Sequence, residues 1–484
     1  MTIRTFRMAI AIVLLAATAM AQSTASDQSV QQRLQKLEDR ISAIENRLDQ
    51  LVPEREAGAS STAADQQKLP DRMDAIDQKL LTLERKQQSD EHTAAAESKK
   101  TALAGAGPDG FFLKSADNNF LLNLSGYVHV DGRWFTGDSG HLASNTFLLR
   151  RVRPIIQGTV FKYIDYRILP DFGSSAGTVP GTIQDAYIDF RYFNSIGVLA
   201  GKAKDPFGLE WLESANNLAF AERALPTRLV PNRDVGIQLH GGLGPAVQYA
   251  IAAVNGAVDG GNQDVDTNNG KDFVGRVFAT PFTGSDWLRG LGLGLAGSTG
   301  SQDGGLPSYK TSGQNIFFRY APGAAAMGEH FRYSPQLYYY AGPFGLLTEW
   351  VQSSQDVQNA SGRRMLDNQA WQVTGSYFLT GEKNSYGRVA PKNNFEGPGG
   401  GSGAMQLAFR YNALAVDPDA FVRGYADITT SAQNAKAWAV GVNWYLNRFA
   451  RLMFDYEQTQ FHGGATTGDR PTEHLFMNRF QLAF

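Results

Sequence analysis

The sequence predicts an all-β protein: a transmembrane antiparallel β-barrel of about sixteen strands, with eighteen also compatible, preceded by an N-terminal α-helical coiled-coil segment. Three observations lead to this fold class. Apolar and polar residues alternate along many segments after residue 110, and no apolar run beyond the first 21 residues is long enough for a spanning helix. The chain also ends on an alternating strand, LFMNRFQLAF, whose last residue is Phe484. Strands in lipid must close into a barrel, because lipid offers no hydrogen bonds to a free sheet edge.

The first 21 residues have the pattern of a secretory signal peptide. Arg4 and Arg7 precede an apolar run, and the run ends in the small-residue sequence Ala19-Met20-Ala21, after which cleavage is expected. An uncleaved membrane anchor is the alternative, but the run is shorter than the ~20 residues that a spanning helix needs. The chain contains no cysteine, which excludes disulfides and thiolate metal sites.

Residues 22–86 are predicted to form a periplasmic coiled-coil segment. Apolar residues recur there at alternating spacings of four and three, which is the heptad pattern of a coiled coil. The seam consists of Val30, Leu34, Leu37, Ile41, Ile44, Leu48 and Leu51, and a weaker one of Leu69, Met73, Ile76, Leu80 and Leu83. Leu and Ile mix at both seam positions, so dimer and trimer both stay open. A single amphipathic helix packed on its own chain is the alternative.

Residues 87–110 are rich in Gln, Ala, Ser, Lys and Gly, which predicts a linker. The predicted barrel domain then covers residues 111–484. Its first strand, LNLSGYVHVDGRW, places Leu124, Val128 and Val130 on one face and His129 and Asp131 on the other. A barrel with lipid outside and water inside explains charged residues on one face and apolar residues on the other.

Basic residues recur on the polar faces of these strands. We therefore predict that they line the lumen. The lumen candidates are Arg133, Arg151, Arg153, Arg167 and Arg191.

One stretch does not fit the strand pattern. Residues 201–223, GKAKDPFGLEWLESANNLAFAER, are too long for a hairpin turn and too irregular for a strand, and they lack the composition of a flexible linker. We predict that this stretch folds into the barrel.

The barrel region resembles the phosphate-selective porins O and P. The resemblance is most specific between Arg150 and Gln238, in RRVRPIIQGTVFKYIDYRILPDFG, QDAYIDFRY and GKAKDPFGLEWLESANNLAFAERALPTRLVPNRDVGIQL. It implies a sixteen-stranded trimeric outer-membrane channel whose third extracellular loop folds inward as a constriction. The coiled-coil segment is outside the pattern of the best-known members and resembles the trimeric coil of some sugar porins.

The resemblance also implies roles for particular residues. The inward loop would cover about residues 203–233, with Phe207, Leu209 and Trp211 anchoring it to the wall. The bases expected at the constriction are Lys202, Lys204, Arg223, Arg228 and Arg233. The lumen candidates would form a ladder for anions.

Net charge does not predict selectivity. From Phe111 onward the chain has 31 basic and 31 acidic side chains. Asp131, Asp165, Asp185 and Asp189 lie on the inward faces beside the arginines, and Glu210, Glu213 and Glu222 lie in the predicted inward loop. These acids either pair with the bases and stiffen the wall or leave them free to attract anions.

No catalytic or metal-binding pattern stands out. The sequence GLGLGLAG has G-x-G-x-x-G spacing at Gly292, Gly294 and Gly297, but no following helix or acidic partner, so we interpret it as a barrel strand. The seven histidines lack metal-ligand spacing, and there is no G-x-S-x-G motif. We expect no enzyme activity, no cofactor and no metal.

The predicted function is passive diffusion of small anions, including phosphate or polyphosphate, through an outer-membrane porin. The alternatives are a general or sugar-type porin without anion preference, and an outer-membrane anchor or tether that acts through the coiled coil. The expected partners are the lipid bilayer of the outer membrane, further copies of the chain in a homotrimer, small anions such as phosphate and chloride, and periplasmic or cell-wall structures. No nucleic acid is expected.

Overall fold

A computed structural model describes residues 78–79, 81–83, 85–86, 102–137, 143–173, 181–193, 195–266 and 268–484. The predicted signal peptide and the first heptad seam lie outside the described residues. The described residues between 78 and 86 are helical, and Leu83 is exposed. Among the helices of the described segments, none is long and apolar enough to cross a membrane. The chain divides into two compact units, residues 1–96 and residues 97–484.

Strands make up most of the second unit. In chain order they are β1 (Leu103–Gly107), β2 (Gly110–Lys114), β3 (Leu121–Thr136), β4 (Thr146–Val160), β5 (Ile164–Asp171), β6 (Thr182–Phe193), β7 (Ile196–Lys204), β8 (Arg233–Leu243), β9 (Val247–Val254), β10 (Asp272–Ala279), β11 (Leu291–Gly304), β12 (Ser308–Lys310), β13 (Ile316–Arg319), β14 (Ala325–Ala341), β15 (Phe344–Asn359), β16 (Gly362–Phe378), β17 (Ala404–Ala415), β18 (Ala432–Tyr445), β19 (Ala450–Ala465), β20 (Gly468–Asp469) and β21 (Glu473–Ala483). The short helices are Leu209–Leu212, Leu225–Arg228 (3₁₀) and Asp419–Val422.

Sixteen of the described strands form one closed antiparallel barrel, all except β1, β2, β12, β13 and β20. Closure comes from β21, which pairs with β3 from His474 opposite Thr136 to Ala483 opposite Tyr127. The terminal Phe484 continues this pairing, because its backbone N–H and C=O both bond to Gly126. The prediction of a sixteen-stranded barrel is therefore confirmed, and the eighteen-stranded alternative is not.

A hairpin precedes the barrel. β1 and β2 pair with each other, and β2 pairs with the first residues of β3, from Leu121 to Leu124. Phe111 of β2 packs edge-to-face against Phe484, with ring centroids 6.3 Å apart. Within the predicted linker of residues 87–110, residues 103–107 form a strand in the barrel's sheet.

The two ends of the barrel differ in their connections. At the end that carries the C-terminus, here the turn end, five connections contain only two to four residues. The exceptions are 280–290 and 379–403. At the opposite end, the loop end, most connections are longer, and the longest joins β7 to β8.

The alternation predicted for the strands is present in the structure. In β3, His129 and Asp131 are buried inside, whereas Leu124 and Val130 are exposed outside. The glycine-rich sequence GLGLGLAG lies in β11. A side chain at Gly292 or Gly294 would collide with the ring of Phe278, so these glycines make room for an aromatic residue inside the barrel.

The lumen is filled unevenly. Beside β15 to β18 an apolar core joins the wall to two loops, 205–232 and 305–324, that enter from the loop end. Phe207 and Leu229 come from the first loop and Phe318 from the second, and all three pack with Val351 and Leu414 of the wall. The same core also includes Ala252, Val254, Val274 and Ala296 of β9 to β11. Open space remains along the wall from β3 to β10.

Candidate functional site

The connection between β7 and β8, residues 205–232, is the inward loop. It is slightly shorter than the predicted range of about 203–233, because β7 continues to Lys204 and β8 begins at Arg233. Phe207 and Leu209, two predicted anchors, are completely buried. Trp211, the third, is partly buried, and its indole N–H donates to the carbonyl of Asn232 at 2.7 Å.

Side chains of the wall hold the backbone of the inward loop. The carboxylate of Glu349 accepts the N–H of Leu209 at 2.7 Å, and Asp455 accepts that of Ala221 at 2.7 Å. Arg451 donates to the carbonyl of Leu218 at 2.7 Å. Since β15 and β19 supply these groups, the loop is attached to the wall opposite its own strands.

A cavity of about 480 Å³ lies between the inward loop and the wall. We call it the basic cavity, because eight bases line it and Asp185 is the one acid among its lining residues. The bases are Arg150, Arg151, Arg153, Arg167, Lys204, Arg223, Arg228 and Arg233. Seven of them were predicted from the sequence as ladder or constriction residues.

Arg150 is the base that sequence reasoning missed. Strict alternation from Arg151 would turn its neighbour Arg150 toward lipid. The pairing of β3 with β4, however, places His129 opposite Arg151 and Val130 opposite Leu149, which leaves Arg150 as an extra residue in a β-bulge. Both arginines therefore line the cavity.

Five of the eight bases have carboxylate partners. Arg150 bonds to Glu222 at 2.5 Å, and Arg151 lies 3.8 Å from the same carboxylate. Arg153 pairs with Asp171 at 2.8 Å. Asp185 is shared by Arg167 at 3.1 Å and Arg233 at 2.8 Å. The bases lining the cavity thus outnumber the three carboxylates that pair with them.

Lys204 and Arg223 hold the inward loop in place. The ammonium of Lys204 donates to the carbonyls of Trp211, Leu212 and Glu213, at 2.7 to 3.2 Å. Arg223 donates to the carbonyls of Glu210 and Glu213 and lies 4.7 Å from the centroid of the Trp211 ring. Their positive charges face the cavity while their donors bind the backbone that forms its edge.

Arg228 is bound to the second inserted loop. Its guanidinium donates to the carbonyls of Lys310 at 3.0 Å and Thr311 at 3.2 Å. Burial lowers the pKa of Arg228 to about 10, so the side chain remains charged at neutral pH. Arg228 therefore brings a positive charge to the cavity, and backbone carbonyls accept its hydrogen bonds.

Three predicted residues lie outside the basic cavity. Arg133 is buried and lies 3.4 Å from Glu222, but it does not line the cavity. Lys202 pairs with Asp264 and bonds to the carbonyl of Ile183. Arg191 pairs with Asp165 and lines a second cavity.

The second cavity, of about 600 Å³, also lies along this wall, and Leu212 of the inward loop borders both cavities. Its polar lining includes Arg191, Arg276, His240 and Gln248. Together the two cavities are lined by residues of every strand from β3 to β10.

The long connection 379–403 enters the lumen from the turn end. Tyr386 donates its hydroxyl to the carbonyl of Leu209 at 2.5 Å and stacks on Tyr338 with centroids 5.5 Å apart. Arg388 donates to the carbonyl of Ala483 at 2.7 Å. Sequence reasoning missed this element, although its many Gly, Pro and Asn residues set it apart from the strands around it.

Metal binding has no support within the described residues, where no group of three or more His, Asp or Glu side chains could hold an ion. The chemistry that the cavities offer is therefore that of guanidinium, ammonium and amide donors. Such donors bind anions.

Comparisons with known proteins agree with this architecture. A family model described as phosphate-selective porin O and P matches residues 122–484. Porin O of Pseudomonas aeruginosa is 24% identical over 407 residues, which cover 78% of this chain and 91% of porin O.

One solved structure shows the shared fold, and a second has a slightly lower score. The outer membrane channel DcaP of Acinetobacter baumannii superposes with a TM-score of 0.51 at 11% identity, over 77% of this chain and 99% of DcaP. OmpT, an outer membrane protein of Vibrio cholerae, has a TM-score of 0.49 at 10% identity, over 76% and 98% of the two chains. At such identities the likeness to DcaP concerns the fold alone.

Proposed function

The chain belongs to the phosphate-selective porin O and P family, and from this premise we propose that its pore passes small anions, phosphate or polyphosphate among them, by passive diffusion across the bacterial outer membrane. The observation that carries the proposal is the basic cavity, in which eight bases border the open part of the lumen beside a single lining acid. The distant relationship to porin O supports phosphate as cargo.

The chemistry of the cavity fits transport better than tight binding. Clustered positive charge between low-dielectric walls raises the local concentration of anions. Guanidinium groups replace part of the hydration shell with paired N–H donors and keep their charge at every physiological pH. Because carboxylates and backbone carbonyls already occupy many of these donors, an anion is bound weakly enough to leave.

The test is the reversal potential of the purified protein in a planar bilayer across a potassium chloride gradient, repeated with phosphate. We expect a potential of the sign that chloride selectivity gives, and a chloride current that falls as phosphate is added. Arg228→Gln should reduce both effects, because it removes a cavity charge. The matched control is Arg364→Gln, which removes a half-exposed arginine paired with Asp419 outside the cavity.

The alternative functions give different results. Asp131, Asp165 and Asp185 are each paired with an arginine, and Asp189 contacts His240, which favours a general porin if this pairing cancels the field. A general or sugar-type porin would show a weak or cation-selective potential and no phosphate block. Absence of conductance would support a tether acting through the predicted coiled coil.

We extend the proposal to a homotrimer. Its copies contact one another through the part of the barrel wall that contains the shortest strands, between β5 and β10. β5, β9 and β10 contain eight residues each and β7 contains nine, at or below the about 9–11 that a tilted strand needs to cross the membrane, although β6 and β8, which lie between them, contain twelve and eleven. Contact with neighbouring copies would shield this part of the barrel wall from lipid. Light scattering of the detergent-solubilised protein should give three copies per particle.

A further inference from the structure

Glu222 of the inward loop lies among four arginines that come from three strands. Arg150 donates to its carboxylate through Nε at 2.5 Å and Nη2 at 3.1 Å. Arg479 lies at 3.3 Å, Arg133 at 3.4 Å and Arg151 at 3.8 Å. The carboxylate is only 3% exposed, so water screens these interactions little.

The surroundings keep Glu222 ionised. Burial alone would raise the pKa of this carboxyl group, but the charges of Arg150, Arg151, Arg479 and Arg133 outweigh burial and hold the pKa well below its ordinary range. Asp131 is the other acid of this cluster, and it pairs with Arg479 at 2.6 Å. Four guanidinium groups therefore surround two carboxylates.

This arrangement is an oxyanion site filled by the protein itself. The Nε and Nη2 donors of Arg150 bind both oxygens of Glu222 side by side, which is the geometry that guanidinium offers to phosphate. Arg150 and Arg151 also line the basic cavity. An anion in the cavity and Glu222 therefore share the same two side chains.

We propose that the Glu222 carboxylate is a resident counter-anion: a permeating oxyanion binds Arg150 and Arg151 only in competition with it, and Glu222 thereby sets how weakly the pore holds its cargo. This inference rests on the proposed function and assigns it a specificity-determining residue. Without the carboxylate, the cluster becomes a binding site for a tetrahedral oxyanion such as inorganic phosphate. Phosphate gains more than chloride, because its two oxygens match the two parallel N–H donors of a guanidinium group, whereas chloride offers a single acceptor atom.

The experiment compares Glu222→Gln with the wild type in planar bilayers, with inorganic phosphate as the probe. Phosphate is titrated against a chloride current to obtain the concentration of half-maximal block. We expect that concentration to fall about tenfold or more, because a full charge is removed within 4 Å of the binding groups in a poorly screened site. Chloride conductance at low phosphate should change much less.

Glu457→Gln is the matched control. Glu457 is also buried in the lumen and ion-paired, with Arg410 at 2.8 Å, but it is absent from the arginine cluster and from the cavity lining. Its replacement removes the same charge and should leave the half-blocking phosphate concentration near that of the wild type. An equal shift in both variants, or no shift in Glu222→Gln, would overturn the proposal.

A second measurement tests whether phosphate binding, and not displacement of the inward loop, explains the effect of Glu222→Gln. If phosphate takes the place of the carboxylate, it must raise the unfolding temperature of this variant in detergent more than that of the wild type. Adding Arg150→Gln should abolish the difference. A wild-type pore without anion selectivity would refute the proposed function, whereas the role of Glu222 is judged by these differences between variant and wild type.

Discussion

At the scale of single residues, two glutamates of the inward loop show how surroundings decide charge. Arginines around Glu222 hold its pKa well below the ordinary range, although burial acts in the opposite direction. Burial raises the pKa of Glu213 to about 8, and the nearby Glu210 adds to the effect. One loop therefore carries a permanent negative charge and a carboxyl group that is neutral at pH 7.

The raised pKa of Glu213 predicts a pH dependence of stability. Between its ordinary value of 4.5 and about 8, the folded protein keeps a proton that the unfolded chain has released. The free energy of unfolding should therefore fall as pH rises through this window. Glu213→Gln should remove that contribution and raise the unfolding temperature, relative to the wild type, most clearly above pH 8.

Thermal unfolding in detergent at several pH values measures this effect. Glu396→Gln is the control, because Glu396 is exposed in connection 379–403. The explanation fails if both variants show the same pH profile as the wild type.

Most residues of the basic cavity could be located from the sequence, because the alternation of inward and outward side chains is a local pattern within each strand. The inward register of β4 and β5 follows from alternation, so Arg151, Arg153 and Arg167 could be named in advance. Arg150 could not, because the bulge that turns it inward depends on pairing with β3. The candidate acids were named from the sequence, but which acid pairs with which base was beyond reach, since Glu222 and Arg150 are brought together only by the folded loop.

At the scale of elements, the inward loop is positioned by the same cations that charge the cavity. Lys204 donates to three successive carbonyls at the end of helix Leu209–Leu212, where the helix leaves its last carbonyls without backbone partners. Arg223 and Lys204 also face the Trp211 ring from 4.7 and 5.5 Å. Lys204 and Arg223 therefore both charge the cavity and hold the inward loop in position.

Lys204→Met should loosen the inward loop. The methionine keeps the apolar stem but loses three charge-assisted hydrogen bonds, so the free energy of unfolding should fall by about 2 kcal/mol. Single-channel conductance should rise and become noisier, because the loop no longer holds one position. Lys392→Met, at an exposed position of connection 379–403, serves as the control. Unchanged conductance together with reduced anion selectivity would instead mean that Lys204 acts only through its charge.

The inward loop was predictable as an element because its composition interrupts the strand pattern, and Phe207 and Leu209 lie buried where anchors were expected. Connection 379–403 is equally irregular, but nothing local shows that it turns into the lumen. Its position depends on contacts of Tyr386 with Leu209 and Tyr338, which lie far away in the sequence.

At the scale of the whole molecule, the barrel is closed but its interior is used unevenly. The side toward β15–β18 is packed with apolar residues from two loops, and the two cavities lie along β3 to β10. Alternation of apolar and polar residues predicted the closed sheet, because it recurs from strand to strand. It did not predict the packed half, because lumen-facing Val351 and Leu414 look like interruptions of a polar face until the loops cover them.

The inward loop and connection 379–403 meet from opposite ends of the barrel, and this predicts an effect on conductance. Tyr386→Ala removes both the hydroxyl bond to Leu209 and the stack on Tyr338, so the connection should withdraw and conductance should rise. Tyr386→Phe keeps the ring and loses one hydrogen bond, which costs about 1 kcal/mol of stability with little change in conductance. Equal currents in the two variants and the wild type would show that the connection does not narrow the pore.

The attachment of the inward loop also has a consequence for how the pore matures. Arg479 of β21 bonds to Ala221 and Glu222, which precede it by more than 250 residues, so the loop cannot dock until the last strand has closed the barrel. Contacts between such distant parts of a chain form slowly. We therefore expect a newly inserted barrel to be briefly wider and leakier than the mature pore, and the leak to end when the loop finds the arginines of the far wall.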